Sequence, residues 1–117
     1  MHPIITPPIF VAEGDDVFAF RTIDDAQQAL EAIDVEDGVY LAWDSTGRVL
    51  ALTTVPQPGF FGAMGVRISP AAPERVEPDA LRSLLARVLS QHARVDIASS
   101  SHPEVVAAFL GWAGYSR

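Results

Sequence analysis

The sequence predicts one α+β domain, in which an antiparallel sheet of about four to five strands carries three helices packed mainly on one face, in the order ββαββ(β)αα. Three observations predict this class. The length of 117 residues fits a single domain, residues 1–117. Short segments of alternating apolar residues, separated by glycine-containing turns, are typical of β-hairpins. Three longer segments repeat apolar residues at helical spacing.

The first hairpin is predicted near the start of the chain. Residues 9–12 are expected to form one strand, residues 13–15 the turn, and residues 16–21 the returning strand. Phe18 and Phe20 fall on one face of that second strand, because successive side chains alternate between the two faces. A β-hairpin is therefore expected to open the fold.

The first helix is predicted to begin after Thr22, whose hydroxyl can cap the backbone N–H of Asp25. Apolar residues then recur at helical spacing from Ile23 to Ile33, which predicts about three turns. The helix is therefore amphipathic, with an acidic exposed face. The side chains predicted to point away from the core are Asp24, Asp25, Gln28 and Glu31.

A second hairpin and a further strand are predicted in the middle of the chain. Residues 39–43 and 48–55 are expected to pair through the turn 44–47, with Gly47 in the left-handed conformation. Residues 64–69 are the predicted third strand of this group, since a long segment without regular structure is unusual in a compact domain.

Two helices are predicted at the end of the chain. Pro78 suits the first position of a helix whose apolar stripe runs to Leu89. Residues 95–97 are expected to form a short strand or a linker. Ser101 and Glu104 have the spacing of a capping box, which predicts a last helix that ends near Gly114.

Composition and charge exclude several functions. The absence of cysteine excludes disulfides, thiolate zinc sites and cysteine nucleophiles. The net charge is −7, and residues 1–47 contain ten carboxylates against Arg21 alone, a balance of −9. This argues against nucleic acid as a partner and favours a basic protein. Neither a leader segment nor a membrane span is evident, so we expect a cytoplasmic location.

No catalytic or metal-binding constellation is predicted, and no cofactor is expected. The histidines do not stand at ligand spacing, and we interpret His92 as part of the apolar face of its helix and His102 as a surface residue. Ser101 lies beside His102, but adjacency in sequence supplies neither an oriented base nor an oxyanion hole. Ser101 is therefore interpreted as a helix cap.

The loop from Gly59 to Gly65 is the most unusual segment of the sequence. It matches no phosphate-binding pattern, because no lysine follows it. Its Phe60 and Phe61 have two interpretations: an exposed apolar contact for a partner, or side chains buried in the core while the glycines allow close backbone approach.

The acidic residues also have two interpretations. Asp15 and Asp16, like the acids of the first helix, are sequence neighbours in places where carboxylates are favoured for local reasons. They either form a solvated face or a face that docks a basic protein, because complementary charge accelerates association.

Two resemblances accompany these patterns. Residues 17–26 and 33–50, with the linker IDVEDGVY and the hairpin DSTGRVL, resemble small bacterial proteins that look like immunity proteins of polymorphic toxin systems. This resemblance implies a protein that binds a toxin domain and carries no catalytic motif. Residues 107–115 are similar to the tail of GNAT-type acetyltransferases, although the loop 57–62 departs from their pyrophosphate-binding pattern.

The leading hypothesis is a non-enzymatic binding module of immunity type that occludes a basic toxin domain. Its predicted contacts are Asp15, Asp16, Asp24, Asp25, Gln28, Glu31, Phe60 and Phe61. The alternative is a small-ligand or acyl-CoA-binding enzyme, similar to a degenerate acetyltransferase, that uses the loop from Gly59 to Gly65. A third hypothesis is a homodimer joined through a sheet edge or through Phe60 and Phe61.

Overall fold

The structure, a computed structural model, describes residues 4–57, 62–97 and 99–116. The described elements alternate between hairpins and helices in the order that follows. They are β1 (Ile9–Glu13), β2 (Asp16–Phe20), α1 (Ile23–Ala29), α2 (Ala32–Glu36), β3 (Tyr40–Trp43), β4 (Val49–Pro56), β5 (Met64–Pro70), α3 (Pro78–Val88), a π-helical turn (Leu89–Ala93) and α4 (His102–Ala113).

The five strands form one antiparallel sheet in the spatial order β2-β1-β3-β4-β5. The strand β1 pairs with β2 on one side, where Phe10 lies opposite Ala19, and with β3 on the other, where Phe10 lies opposite Trp43. β4 and β5 pair over seven positions, whereas β3 and β4 pair over two. The predicted α+β class and the predicted strands are therefore confirmed.

The helices differ from the prediction in where they lie, because they cover both faces of the sheet. On one face Phe10 and Ala12 pack against α3 and α4. On the other face Ile9 and Val11 pack against α1 and α2. The physical reason lies in β1, whose first four residues are apolar and buried at every position, so that both of its faces need cover.

The first helix is shorter than predicted. It ends at Ala29, because the C-cap residue Leu30 is extended with φ −82° and ψ 143°, and a second helix, α2, begins at Ala32. The interruption changes the helical phase, so that Ala32 and Val35 pack on the core and Ile33 is 63% exposed. The predicted burial of Ile33 in a continuous helix is therefore wrong.

The helix α1 contacts both β2 and β5, the two edge strands. At β5 the side-chain Oε1 of Gln27 accepts a hydrogen bond from the backbone N–H of Ile68, 2.9 Å away. At β2 the backbone N–H of Ser116 donates to the carbonyl oxygen of Ala19 over 2.6 Å. A backbone group on each edge strand is thus satisfied from within the chain, which reduces its availability to another strand.

The last part of the chain follows the predicted helices closely. Pro78 begins α3, and Ser101 and Glu104 form the predicted capping box of α4. Residues 95–97 form no strand, so the linker interpretation is the one that the structure supports. His92 is exposed and stacks on Trp112, rather than continuing the buried face of α3.

Candidate functional site

Five of the predicted contact residues lie on two separate parts of the structure. Asp15 and Asp16 are exposed at the turn between β1 and β2. Asp24, Asp25 and Gln28 are exposed on α1, which starts at the opposite end of β2. The turn and the start of α1 are therefore separated by the length of a strand. Phe60 and Phe61 lie outside the described residues.

Local chemistry explains why α1 presents its carboxylates to solvent. The hydroxyl of Thr22 accepts a hydrogen bond from the backbone N–H of Asp25 over 3.0 Å, as the capping prediction requires. Asp24 and Asp25 occupy the first turn, where the helix dipole favours negative charge. Ala26 is fully buried against the sheet, which directs the acidic side of the helix outwards.

Glu31 is exposed at the N-cap position of α2, directly after α1. Three further carboxylates follow it in the next six residues. We call the six carboxylates of residues 22–38 the acidic layer: Asp24, Asp25, Glu31, Asp34, Glu36 and Asp37. No arginine or lysine occurs among residues 22–38. Within the described part of the chain, no member of the acidic layer forms an ion pair.

Asp34 forms a hydrogen bond with a second titratable group. The hydroxyl of Tyr40 donates a hydrogen bond to Oδ2 of Asp34 over 3.3 Å. Burial raises the pKa of Tyr40 above its ordinary value of 10.0, and the negative charges of Asp34 and Glu13 raise it further. The phenol therefore stays neutral and keeps its proton for this hydrogen bond.

The opposite face of the sheet carries a different charge balance. Residues 78–113, which include α3, the π-helical turn and α4, contain three arginines and three carboxylates. Arg82 lies 3.8 Å from Asp79 in one ion pair there. The two helical layers thus differ by six charges across the sheet, and the negative potential is concentrated on the α1 and α2 side.

A cleft of about 560 Å³ lies beside α1. We call it the α1 cleft, and its lining residues are Arg21, Asp25, Gln28, Ala29, Tyr115 and Ser116. The guanidinium carbon of Arg21 lies 4.6 Å from the centre of the Tyr115 ring, a cation–π contact. The structure therefore brings two predicted residues, Asp25 and Gln28, together with Arg21 and the end of the chain.

Sequence reasoning missed Arg21 and Tyr115 as part of this site. They are 94 positions apart, and the resemblance of residues 107–115 to an acetyltransferase tail does not connect Tyr115 with Arg21. The available signal was compositional: Arg21 is the single basic residue among the first 47. In the structure, the guanidinium group of this arginine stacks on the ring of Tyr115.

The loop proposed for the alternative enzyme is described only in part. Gly65 lies in β5, close to the side chain of Gln57, and Gly62 has a positive φ of 76°. The open cleft beside Gln57 and Gly65 contains no histidine or carboxylate among its described lining residues. This geometry supplies no general acid or base next to the described part of the loop.

The side chains of His102 and the buried Asp44 connect separate parts of the fold. His102 is half-buried, with Nε2 2.7 Å from the carbonyl oxygen of Ser45 and Nδ1 3.2 Å from that of Pro78, so it ties α4 to the turn after β3 and to the start of α3. Its interpretation as a surface residue is therefore wrong.

Asp44 is fully buried and accepts hydrogen bonds from Thr6, Thr46 and Arg48. Among the described residues, no three His, Asp or Glu side chains form a group that could hold a metal.

No helix in the described ranges has both the length and the apolar character needed to cross a bilayer. No protein-family model matches the chain, and neither a curated protein nor a solved structure matches it significantly. The site is therefore interpreted from its own geometry and charge.

Proposed function

We propose that this chain is a non-enzymatic, cytoplasmic protein-binding module of immunity type. It binds a basic protein, such as a cognate toxin domain, through the acidic layer and occludes the partner's active cleft. The observation that carries the proposal is the acidic layer itself: six carboxylates, five of them exposed, with no arginine or lysine among residues 22–38 and no ion pair among the described residues.

The physical argument is one of electrostatic cost and gain. Like charges on one surface repel each other, and among the described residues no cation forms an ion pair with a member of the acidic layer to offset that repulsion. A basic partner removes that repulsion, and the field of the acidic layer accelerates its approach. Because the opposite layer is neutral overall, this attraction also favours one orientation of the partner over the others.

The test uses two variants with equal net charge. Asp24→Asn, Asp25→Asn and Glu31→Gln together remove three negative charges from the acidic layer, which changes the net charge from −7 to −4. Ser83→Arg, Ser90→Arg and Gln91→Arg add three positive charges at exposed positions of the opposite layer, which gives the same −4. Products of adjacent genes are purified and their affinities for each protein are measured.

The proposal predicts that an adjacent gene product binds the wild type, and that the first variant loses about tenfold or more in affinity, the sum of three exposed charge interactions. The second variant is expected to remain within about twofold of the wild type, because its added charges lie on the other layer. Equal losses in both variants, unchanged binding by the first variant, or no binding partner among these products would contradict the proposal.

A further inference from the structure

The α1 cleft contains a carboxylate, that of Asp25, and the side-chain amide of Gln28, whose oxygen can accept hydrogen bonds. Asp25 and Gln28 stand three positions apart on α1, a spacing that places two side chains on the same face of a helix. Within the described part of the chain, the carboxylate of Asp25 is in no ion pair and no side chain donates a hydrogen bond to it. A carboxylate and an amide carbonyl thus lie along one wall of an open cleft.

A guanidinium group also lines the α1 cleft. Arg21 lies over the ring of Tyr115, and Tyr115 is 39% exposed, so part of the aromatic surface remains accessible. The next residue, Ser116, is held to β2 by its backbone hydrogen bond to Ala19. The contact between Arg21 and Tyr115 is an intrachain example of the guanidinium–aromatic stacking that this ring supports.

The surrounding charge decides which ligand the cleft favours. Arg21 alone would attract an anion, but the six carboxylates of the acidic layer outweigh its single positive charge. Asp25 belongs to both the acidic layer and the cleft lining. A cation therefore gains from the field of the layer and from direct contact with Asp25, whereas an anion would contact Arg21, the Gln28 amide and the Ser116 hydroxyl but is repelled by Asp25 and the rest of the layer.

We infer that the α1 cleft binds an arginine side chain of the basic partner, with Asp25 as its counter-ion, Gln28 as a hydrogen-bond acceptor and Tyr115 as a stacking surface. The inference rests on the proposed function and adds a specific anchor to it. Arginine fits better than lysine because a planar guanidinium donates to a carboxylate and an amide oxygen at once and stacks on an aromatic ring. Asp24, the neighbour of Asp25, does not line the cleft and contributes only to the long-range field.

The test uses the full chain and a small probe, Nα-acetyl-L-arginine amide, followed by the backbone amide signals in NMR spectra. We expect saturable shifts at Gln28, Ala29 and Ser116, and weaker binding of Nα-acetyl-L-lysine amide. Asp25→Asn is expected to weaken binding of the arginine probe by about tenfold, the size of one charge-assisted contact. The matched control Asp24→Asn is expected to change it by less than about twofold.

Shifts spread evenly over the acidic layer, equal effects of the two substitutions, or equal binding of the lysine probe would overturn the inference. The spectra themselves report whether each variant is folded. The partner affinities separate the two proposals: if the three-residue neutralised variant loses the partner while the arginine probe does not bind in the cleft, the proposed function stands and the anchor is rejected. If no basic partner binds the wild type, both are rejected.

Discussion

Gly47 shows how a single residue links distant parts of this fold. It has a positive φ of 88° in the turn after β3, a conformation that residues with a Cβ rarely adopt. Its carbonyl oxygen accepts a hydrogen bond from the backbone N–H of Glu77 over 2.7 Å, and a Cβ at Gly47 would lie 2.4 Å from Cα of Pro78. The turn therefore depends on glycine for two independent reasons, its conformation and the close approach of α3.

Gly47→Ala is expected to destabilise the protein by more than about 3 kcal/mol, because backbone strain and a backbone clash add together. Gly14→Ala is the matched control, since Gly14 has a φ of 59° but a methyl group there would meet no neighbour within 4 Å. It should lose only the conformational contribution, about 1 to 2 kcal/mol. Urea denaturation measures both; equal losses would contradict the role assigned to the contact with Pro78.

The ionisation of Tyr40 makes the stability of the folded protein depend on pH. Burial and the nearby charges of Asp34 and Glu13 raise its pKa in the folded state above 10.0, whereas the unfolded chain ionises near that value. Above pH 10.0 the unfolded state therefore loses its proton first, and stability falls as the pH rises further. Tyr40→Phe should reduce this alkaline loss in denaturation curves recorded from pH 8 to about pH 11. An unchanged pH dependence would contradict the assignment.

At the scale of elements, the start of α4 shows how the side chains of two residues determine where a helix begins. The backbone N–H of Glu104 donates to the hydroxyl of Ser101 over 3.4 Å, and the backbone N–H of Ser101 donates to the carboxylate of Glu104 over 3.2 Å. These reciprocal bonds orient α4 so that Val105 and Phe109 are buried against α3. The cap thus contributes to the packing of a whole helix.

Ser101→Ala is expected to destabilise the protein by about 1 kcal/mol, the usual cost of losing an N-cap side chain. The hydrogen bonds from Ser101 lower the pKa of Glu104 below its ordinary value of 4.5, so they stabilise the folded state above that pH. This contribution is lost as the pH falls through the lowered folded-state pKa. Ser101→Ala removes the hydroxyl that donates to Oε1 of Glu104 over 2.7 Å, so the difference in stability between wild type and variant should shrink in acid, as thermal denaturation at several pH values measures. A constant difference would contradict the role of this side-chain hydrogen bond.

Elements with local signals could be predicted from the sequence, and those that depend on distant contacts could not. The caps at Thr22 and Ser101 and the turn at Gly47 are local, and the structure confirms them. The break between α1 and α2 was missed because Ile33 continues the apolar period of α1 in sequence, although it is exposed in the structure. The burial of both sheet faces had a signal in β1, where four consecutive residues are apolar.

At the scale of the whole molecule, the sheet separates an acidic helical layer from a neutral one. The sequence indicated the uneven charge along the chain, and the acids of α1 were correctly expected on an exposed face. The α1 cleft could not be predicted, because it forms where Tyr115 and Ser116 return to β2 and Arg21. Whether the acidic layer docks a partner stays a prediction, and it is the one on which the proposed function depends.

The most direct test of that claim is the association rate constant of the basic partner, measured by stopped-flow mixing as a function of salt. From about 20 mM to about 300 mM NaCl the rate constant should fall at least about tenfold for the wild type. The variant with Asp24→Asn, Asp25→Asn and Glu31→Gln should associate more slowly in low salt and show a shallower dependence. An association rate that is independent of salt, or an identical salt dependence in wild type and variant, would contradict the account.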